Sequence, residues 1–132
     1  MRQPAPDRAI WSVSRSIFVG ETIEAAWDHA LSGTFGRSFD YMLGLLRSAN
    51  MLNLVKHDPD VPDADLTPEY ALKHLCIIGD PAECIRQLQS LWDVTGGFGT
   101  LLMIAHDWDD REKWLRSMDL LTHEVAPALP TA

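Results

Sequence analysis

One segment of the sequence, residues 96–110, places reactive side chains directly after an apolar run. It reads GGFGTLLMIAHDWDD, so that a glycine-rich turn feeds the run and His106, Asp107 and Trp108 end it. A histidine accepts or donates a proton near neutral pH, and an aromatic ring can cover the mouth of a cavity. The segment therefore indicates a buried strand whose carboxyl end opens into a site.

Each of these side chains also has a purely structural interpretation, and both interpretations stay open at this stage. His106 is either a catalytic residue or a group that bonds to a neighbouring loop at the end of the strand. Asp107 either contacts a substrate or caps the next helix, and Trp108 either contacts a substrate or packs on that helix. We expect Asp109 and Asp110 to cap the same helix, because carboxylates stabilise helix N-termini.

The first half of the chain supplies a strand and three helical patterns. Alternating apolar and polar residues predict a strand over residues 10–19 that runs from exposed to buried. Thr22 and Gly33 bound the helix after it. A second helical pattern fades into residues 53–66, which are rich in aspartate and proline and predict a surface loop. Thr67 and Pro68 then begin a short helix through Leu75.

The second half repeats a pattern of strand, turn and helix. Residues 77–78 predict a short buried strand, Asp80 and Pro81 begin a helix, and Gly96 ends it. Residues 100–105 are apolar throughout, which is typical of a parallel strand covered on both faces. Strands separated by helices predict an α/β fold with a parallel sheet, whose carboxyl ends share one rim.

Composition excludes several classes of protein. The chain has 132 residues, 46% of them hydrophobic, which suits one domain. Its formal charge of −8, from 11 basic and 19 acidic residues, disfavours binding to nucleic acid. No apolar run approaches the length of a bilayer span or a signal peptide. We therefore expect a soluble, cytoplasmic protein with no membrane partner.

The sequence predicts no metal site. Cys76 and Cys84 lie in apolar settings and are expected to be buried thiols. His57, Asp58 and Asp60 match no calcium loop, and the prolines around them favour a solvated loop. No serine or cysteine lies in the nucleophile-elbow pattern of a hydrolase.

Three segments carry a resemblance to a known family. They are WSVSRSIFVGET, LTPEYALKHLCIIGDPAECIRQL and GGFGTLLMIAHDWDDREKWLRSMDLLTHEVAPAL, and they lie within residues 11–129. In these segments the chain resembles the luciferase-like flavin-dependent monooxygenases, the family of bacterial luciferase and of limonene-monooxygenase-type enzymes. Members are (β/α)8 TIM barrels of about 250 residues. The resemblance implies that residues 1–132 are the C-terminal part of such a barrel domain, roughly its last three βα units with a helical insertion.

The resemblance also implies a chemistry. Members use reduced flavin mononucleotide (FMN), or in some branches the deazaflavin F420, together with O2 to oxygenate a small organic substrate. A separate flavin reductase usually supplies the reduced flavin. The flavin lies above the carboxyl ends of the strands, where His106 would be catalytic and Trp108 and Asp107 would contact the substrate. The family's flavin-phosphate contacts lie mostly in the half that this chain lacks, so we expect the isolated chain to be inactive.

The alternative hypothesis is a truncated, non-catalytic module for interaction or oligomerisation. A partial sheet has open edges, and open edges pair with other strands. The chain would then form a homo-oligomer or bind a companion chain.

Overall fold

The computed structural model describes residues 7–106 and 108–131, and its centre is a three-stranded parallel sheet. Strand β1 (Ser12–Val19) lies between the other two strands. Strand β2 (Cys76–Gly79) pairs with the carboxyl-terminal half of β1, and β3 (Thr100–Ile104) pairs with the amino-terminal half. The predicted α/β fold with parallel strands is confirmed.

Among the described residues, five α-helices pack around the sheet: α1 (Ile23–Ser32), α2 (Thr34–Ser48), α3 (Pro68–Leu75), α4 (Pro81–Thr95) and α5 (Arg111–Leu120). Short 3-10 turns lie at Arg8–Ile10, Leu52–Val55, Asp63–Asp65 and Ala126–Ala128, and a π-helical turn at Leu121–Val125 continues α5. In the part of the chain that the structure describes, none of these helices has the length and apolar character to cross a bilayer.

The predicted helix boundaries follow from local capping chemistry. The side chains of Thr22, Thr67 and Asp80 each accept a hydrogen bond from a backbone N–H three residues later, at the starts of α1, α3 and α4. Gly96 ends α4 with a φ of 73°, a conformation that glycine adopts without steric cost. These boundaries were therefore predictable from the sequence.

Strand β1 is two residues shorter than predicted at its start. Asp7 accepts a hydrogen bond from the backbone N–H of Ala9 at 3.0 Å and so caps a 3-10 turn over Arg8–Ile10. The Arg8 guanidinium lies 3.9 Å above the Trp11 ring. The turn removes Ile10 from the strand. Pairing of β3 likewise ends at Ile104, one residue earlier than predicted.

The two faces of the sheet pack against different helices. One face packs mainly on α4 and on the end of α5, with Ile17, Val19, Ile77, Cys84, Leu88, Leu120 and Val125 buried. The carboxyl-terminal part of the other face packs on α1, α2, α3 and Trp114 of α5, with Phe18, Ile78, Phe35, Leu43, Leu72 and Trp114 buried. Burial raises the pKa of both thiols, Cys76 and Cys84, to about 12, so the predicted buried thiols are confirmed.

The segment over residues 53–66 is not wholly a surface loop. Val55 and Leu66 are buried in the core beside α2 and α3, together with the preceding Leu52. Pattern analysis missed these anchors because isolated apolar residues among aspartates and prolines carry no periodicity.

The prediction that β3 is covered on both faces is wrong. Leu102 and Ile104 are 52% and 43% exposed, because β3 is an edge strand and the packing of helices on this face begins only at Ser16 of β1. Ser12 and Ser14 lie on the same face and are also exposed. We call Ser12, Ser14, Leu102 and Ile104 the open face.

The Ser117 hydroxyl on α5 accepts a backbone hydrogen bond that a longer β3 would otherwise accept. Because β3 ends opposite Ser16, it offers no acceptor to the backbone N–H of Val19. The fully buried Ser117 Oγ accepts that hydrogen bond at 2.7 Å. This bond fixes α5 against the central strand and satisfies a buried backbone donor.

Candidate functional site

His106 lies just beyond the carboxyl end of β3 and contacts two other elements. Its Nε2 is 3.2 Å from the hydroxyl of Ser16 on β1. The rings of Phe35 and Phe39, one turn apart on α2, lie 4.9 and 5.7 Å from the imidazole. Ser16 follows Ser14 on the same face of β1, so His106 stands at the border of the open face.

The environment of His106 favours its neutral form. The side chain is half-buried, and burial lowers the pKa of His106 below its ordinary value of 6.5. A neutral imidazole carries one hydrogen-bond donor and one acceptor, and a partner at one nitrogen influences which nitrogen holds the proton. At neutral pH the residue is therefore able to accept a proton at one nitrogen and to donate a hydrogen bond from the other.

Of the three predicted site residues, His106 has the contacts with β1 and α2 given above. Trp108 follows His106 in the chain and is 42% exposed. Asp107 lies outside the described residues. Contact of Trp108 and Asp107 with a substrate stays a prediction.

Asp110 caps the last helix as predicted, but the prediction for Asp109 is wrong. Asp110 accepts from the backbone N–H of Lys113 at the start of α5. Asp109 instead reaches α2, where its Oδ2 accepts from the backbone N–H of Thr34 at 2.7 Å. Its Oδ1 accepts from the Trp114 indole at 3.3 Å. The partner helix starts 75 positions earlier in the chain, beyond the reach of a local capping pattern.

The ionised carboxylate of Asp109 holds the start of α2, the helix that contacts His106. Burial opposes its ionisation, but hydrogen bonds from Thr34, Trp114 and Asp110 lower the pKa of Asp109 to about 2. The carboxylate thereby ties the connection after β3 to the start of α2. Phe35 follows Thr34 directly, so this anchor also helps to position the aromatic contact of His106.

Sequence analysis missed Ser16. It lies in a run of alternating serines, Ser12, Ser14 and Ser16, which looks like the solvated side of a strand. In the structure this side meets His106, 90 positions later in the chain. The available signal was the repetition of small hydroxyl residues on one face of a strand whose other face is mostly apolar.

The loop that carries His57, Asp58 and Asp60 is exposed, as predicted. His57 stacks on His74 at 3.9 Å and contacts the hydroxyl of Tyr70 at 2.5 Å. Among the described residues, no three His, Cys, Asp or Glu side chains are grouped so as to hold a metal ion.

His29 is a buried histidine beside a cavity of about 180 Å³ at the carboxyl end of β1. Its ring stacks on Phe18 at 4.2 Å and meets the edge of Trp114 at 5.8 Å. Its Nε2 has no hydrogen-bond partner among residues 7–106 and 108–131. Burial lowers the pKa of His29, Asp109 opposes that shift and Lys113 adds to it. The folded chain therefore holds His29 neutral.

We predict that His29→Phe makes stability less sensitive to acid. The folded-state pKa of His29 lies below the unfolded value of 6.5, so the unfolded chain binds the proton more readily. Stability that is present above pH 6.5 is lost as the pH falls toward the folded pKa. Phenylalanine keeps the stacking without a titrating group or an unpaired nitrogen. Urea unfolding at pH 7.5 and 5.5 should show a smaller loss for the variant.

The exposed Val94 on α4 provides the control, since Val94→Ser changes no titrating group and should leave the acid sensitivity at its wild-type level. Burial also lowers the pKa values of His74 and His106. Both residues are present in the wild type and in both variants, so their contribution to acid sensitivity is the same in all three proteins. Equal losses of stability in the wild type and His29→Phe would contradict the prediction.

The sequence is similar to monooxygenases. It is 30% identical over 126 residues to 3,6-diketocamphane 1,6-monooxygenase of Pseudomonas putida, covering 94% of this chain and 33% of that protein. It is 32% identical over 123 residues to limonene 1,2-monooxygenase of Rhodococcus erythropolis, covering 92% of this chain and 29% of that protein. No protein-family model matches the chain.

The fold is similar to a solved flavoprotein structure. That structure is described as a type II Baeyer-Villiger monooxygenase, the oxygenating constituent of 3,6-diketocamphane monooxygenase from the CAM plasmid of Pseudomonas putida, in complex with FMN. The TM-score is 0.84 at 30% sequence identity, and the match covers 96% of this chain and 35% of that one. The chain thus spans about a third of the length of the relatives it matches.

Proposed function

We propose that this chain, a relative of the luciferase-like flavin-dependent monooxygenases, forms one wall of the reaction chamber in such an enzyme. The complete enzyme would use reduced FMN and O2 to oxygenate a small organic substrate. The observation that carries the proposal is the similarity to an FMN-bound monooxygenase, in a chain whose open sheet face ends at His106.

In this proposal residues 1–132 are the C-terminal part of a (β/α)8 barrel domain. The sequence predicts roughly three βα units for them, with α2, α3 and the segment between them as a helical insertion. Three consecutive barrel strands would lie side by side in chain order, whereas β1 lies between β2 and β3. We therefore take β1 and β3 as neighbouring barrel strands and β2 as a short strand that extends the wall beside the carboxyl end of β1.

The open face fits the ring of a flavin better than its phosphate. Leu102 and Ile104 offer apolar contact to a planar ring, and the hydroxyls of Ser12 and Ser14 offer hydrogen bonds. A phosphate needs cations or free backbone N–H groups. Arg15 is near in sequence, but it pairs with Met103 on the opposite face of the sheet. We assign the phosphate contacts to the two-thirds of the enzyme outside this chain.

His106 is the catalytic residue in this proposal. Reduced FMN and O2 supply the oxygenating chemistry when bound, as in other flavin monooxygenases. The neutral imidazole exchanges a proton with the reacting atoms at the end of the open face, and Leu102 and Ile104 help to exclude water from them. Trp108 and Asp107 follow His106 and contact the substrate.

The proposal also includes partners. A separate flavin reductase delivers reduced FMN, and F420 is the alternative cofactor because its ring has a similar planar shape. A companion chain, a longer form of this chain or a second copy covers the open face. We place the enzyme in the cytoplasm, where reduced nicotinamides are available to such a reductase.

A non-catalytic interaction module is the second candidate. The observation that favours it is the open face itself, which exposes two large apolar side chains beside an unpaired strand edge. A module of this kind would associate with other chains but would bind no flavin in any assembly.

Titration with flavin separates the two candidates. FMN fluorescence should be quenched on binding to a protein that joins this chain to the remaining two-thirds of the fold. The isolated chain should bind FMN at least about 100-fold more weakly, because losing two charge-assisted hydrogen bonds to the phosphate has that effect. A parallel titration with F420 tests the alternative cofactor. The enzyme proposal would be overturned if the isolated chain and the joined protein bound FMN with equal affinity and the joined protein formed no oxygenated product when a reductase is added.

A further inference from the structure

We infer that Ser16 is a positioning residue, which engages Nε2 of His106, influences which nitrogen carries the proton and leaves Nδ1 for the reacting atoms. This inference rests on the proposed function, because it assigns a role within the same site. Its physical basis is the contact between Ser16 Oγ and His106 Nε2 at 3.2 Å.

The backbone of Ser16 is unusually well fixed. It pairs with Cys76 of β2 on one side and with Ile104 of β3 on the other, so it lies where both ladders of the sheet overlap. Its side chain is 9% exposed. A hydroxyl held at such a point has a defined position relative to the end of β3, and His106 follows that end by two residues.

The imidazole is also held by α2. The rings of Phe35 and Phe39 contact it, and Asp109 ties the start of their helix to the connection after β3. Packing of this kind limits rotation of the ring. The contact with Ser16 engages Nε2, so Nδ1 is the nitrogen available to a reactant.

A serine hydroxyl suits this role because it both donates and accepts. When Nε2 holds the proton it donates to Ser16 Oγ, and Nδ1 is free to accept a proton. When the Ser16 hydroxyl donates to Nε2, Nδ1 holds the proton and donates a hydrogen bond to a reactant. In the protonated ring, Nε2–H donates to Oγ and so retains a partner in a half-buried site. Removing the hydroxyl should therefore change the balance between the two neutral forms.

The test is the tautomer ratio of His106 in the full 132-residue chain labelled with 15N-histidine. Imidazole nitrogen shifts report which nitrogen is protonated, and His106→Gln identifies the resonances among the five histidines. Ser16→Ala should change the ratio between about two- and tenfold, the range expected for one hydrogen bond. Ser16→Thr, which keeps a hydroxyl in a strand position, should restore it.

Two further variants keep the inference falsifiable. Ser14→Ala removes a hydroxyl from the same face of the same strand without touching Nε2 and should leave the ratio unchanged. Ser16→Cys keeps the side-chain volume but bonds weakly, so it replaces alanine if that variant unfolds. A wild-type ratio in a folded Ser16→Ala or Ser16→Cys chain would overturn the inference. The measurement needs no flavin, so its failure is distinct from failure of the proposed function.

Discussion

Replacing His106 with alanine in the complete enzyme is expected to lower the rate of oxygenation by at least about tenfold. The decrease should reach about 100-fold or more if His106 transfers a proton in the rate-limiting step. The reason is geometric as well as chemical. His106 is the polar side chain that β3 delivers to the end of the open face, and Ser16 Oγ contacts one of its nitrogens. The measurement is product formed per enzyme under excess reduced flavin, compared with the unfolding midpoint of the same preparation.

Two variants make this result specific. His106→Gln keeps a polar group of similar reach but cannot exchange a proton at neutral pH, so it should be nearly as slow as alanine. His123→Ala removes an exposed histidine beside Asp119, remote from the open face in our proposal, and should retain wild-type rates. If His106→Ala lowers stability while turnover per folded enzyme stays at the wild-type level, the residue is a structural contact of α2 and the catalytic assignment is wrong.

Local chemistry explains why much of the fold was predictable. Caps such as Thr22 and Asp80 and the glycine at position 96 act within one turn of the chain, so their residue types mark the helix ends directly. The parallel sheet followed from the alternation of strands and helices. The same logic misplaced the start of β1, because Asp7 and its 3-10 turn compete locally for residues that alternate like a strand.

Errors arose where the outcome depends on distant parts of the chain. The apolar run in β3 predicts burial on both faces, but burial depends on which elements cross each face, and the sheet places β3 at an edge. Asp109 has the residue type of a cap but reaches a helix that starts 75 positions earlier. The contact between His106 and Ser16 depends on the register of β1 with β3. No short segment of the sequence reveals that register, because the two strands lie far apart in the chain.

The two faces of β3 differ in burial, and the exposed apolar face does not suit a domain that stands alone. Its inner side chains, Leu101 and Met103, pack on the core, and its outer ones lie in solvent. A strand of alternating character would suit a surface, but Leu102 and Ile104 are apolar where a solvated edge strand usually carries polar residues. This pattern is what a wall of a larger fold would show when its counterpart is absent. The relatives, about three times as long as the match, are consistent with that interpretation.

We therefore expect the isolated chain to self-associate through the open face, and Leu102→Ser combined with Ile104→Thr to weaken that association. Re-burying the exposed parts of these side chains contributes roughly 1 kcal/mol each. Since both copies in a dimer contribute, the association constant should fall by at least about tenfold, measured by sedimentation velocity over a concentration series.

The matched control is Val94→Ser, which removes an apolar side chain that is 84% exposed on α4 and lies off the open face. Its association should equal that of the wild type, because Val94 lies on a helix outside the open face. The double variant Leu102→Ser, Ile104→Thr should have a different effect in a protein that also contains the remaining two-thirds of the fold. There the open face is the chamber wall, so the same substitutions should weaken FMN binding or product formation instead of association. A wild-type chain that stays monomeric at high concentration would show that the open face is a tolerated surface, and the proposal that other strands cover it would fail.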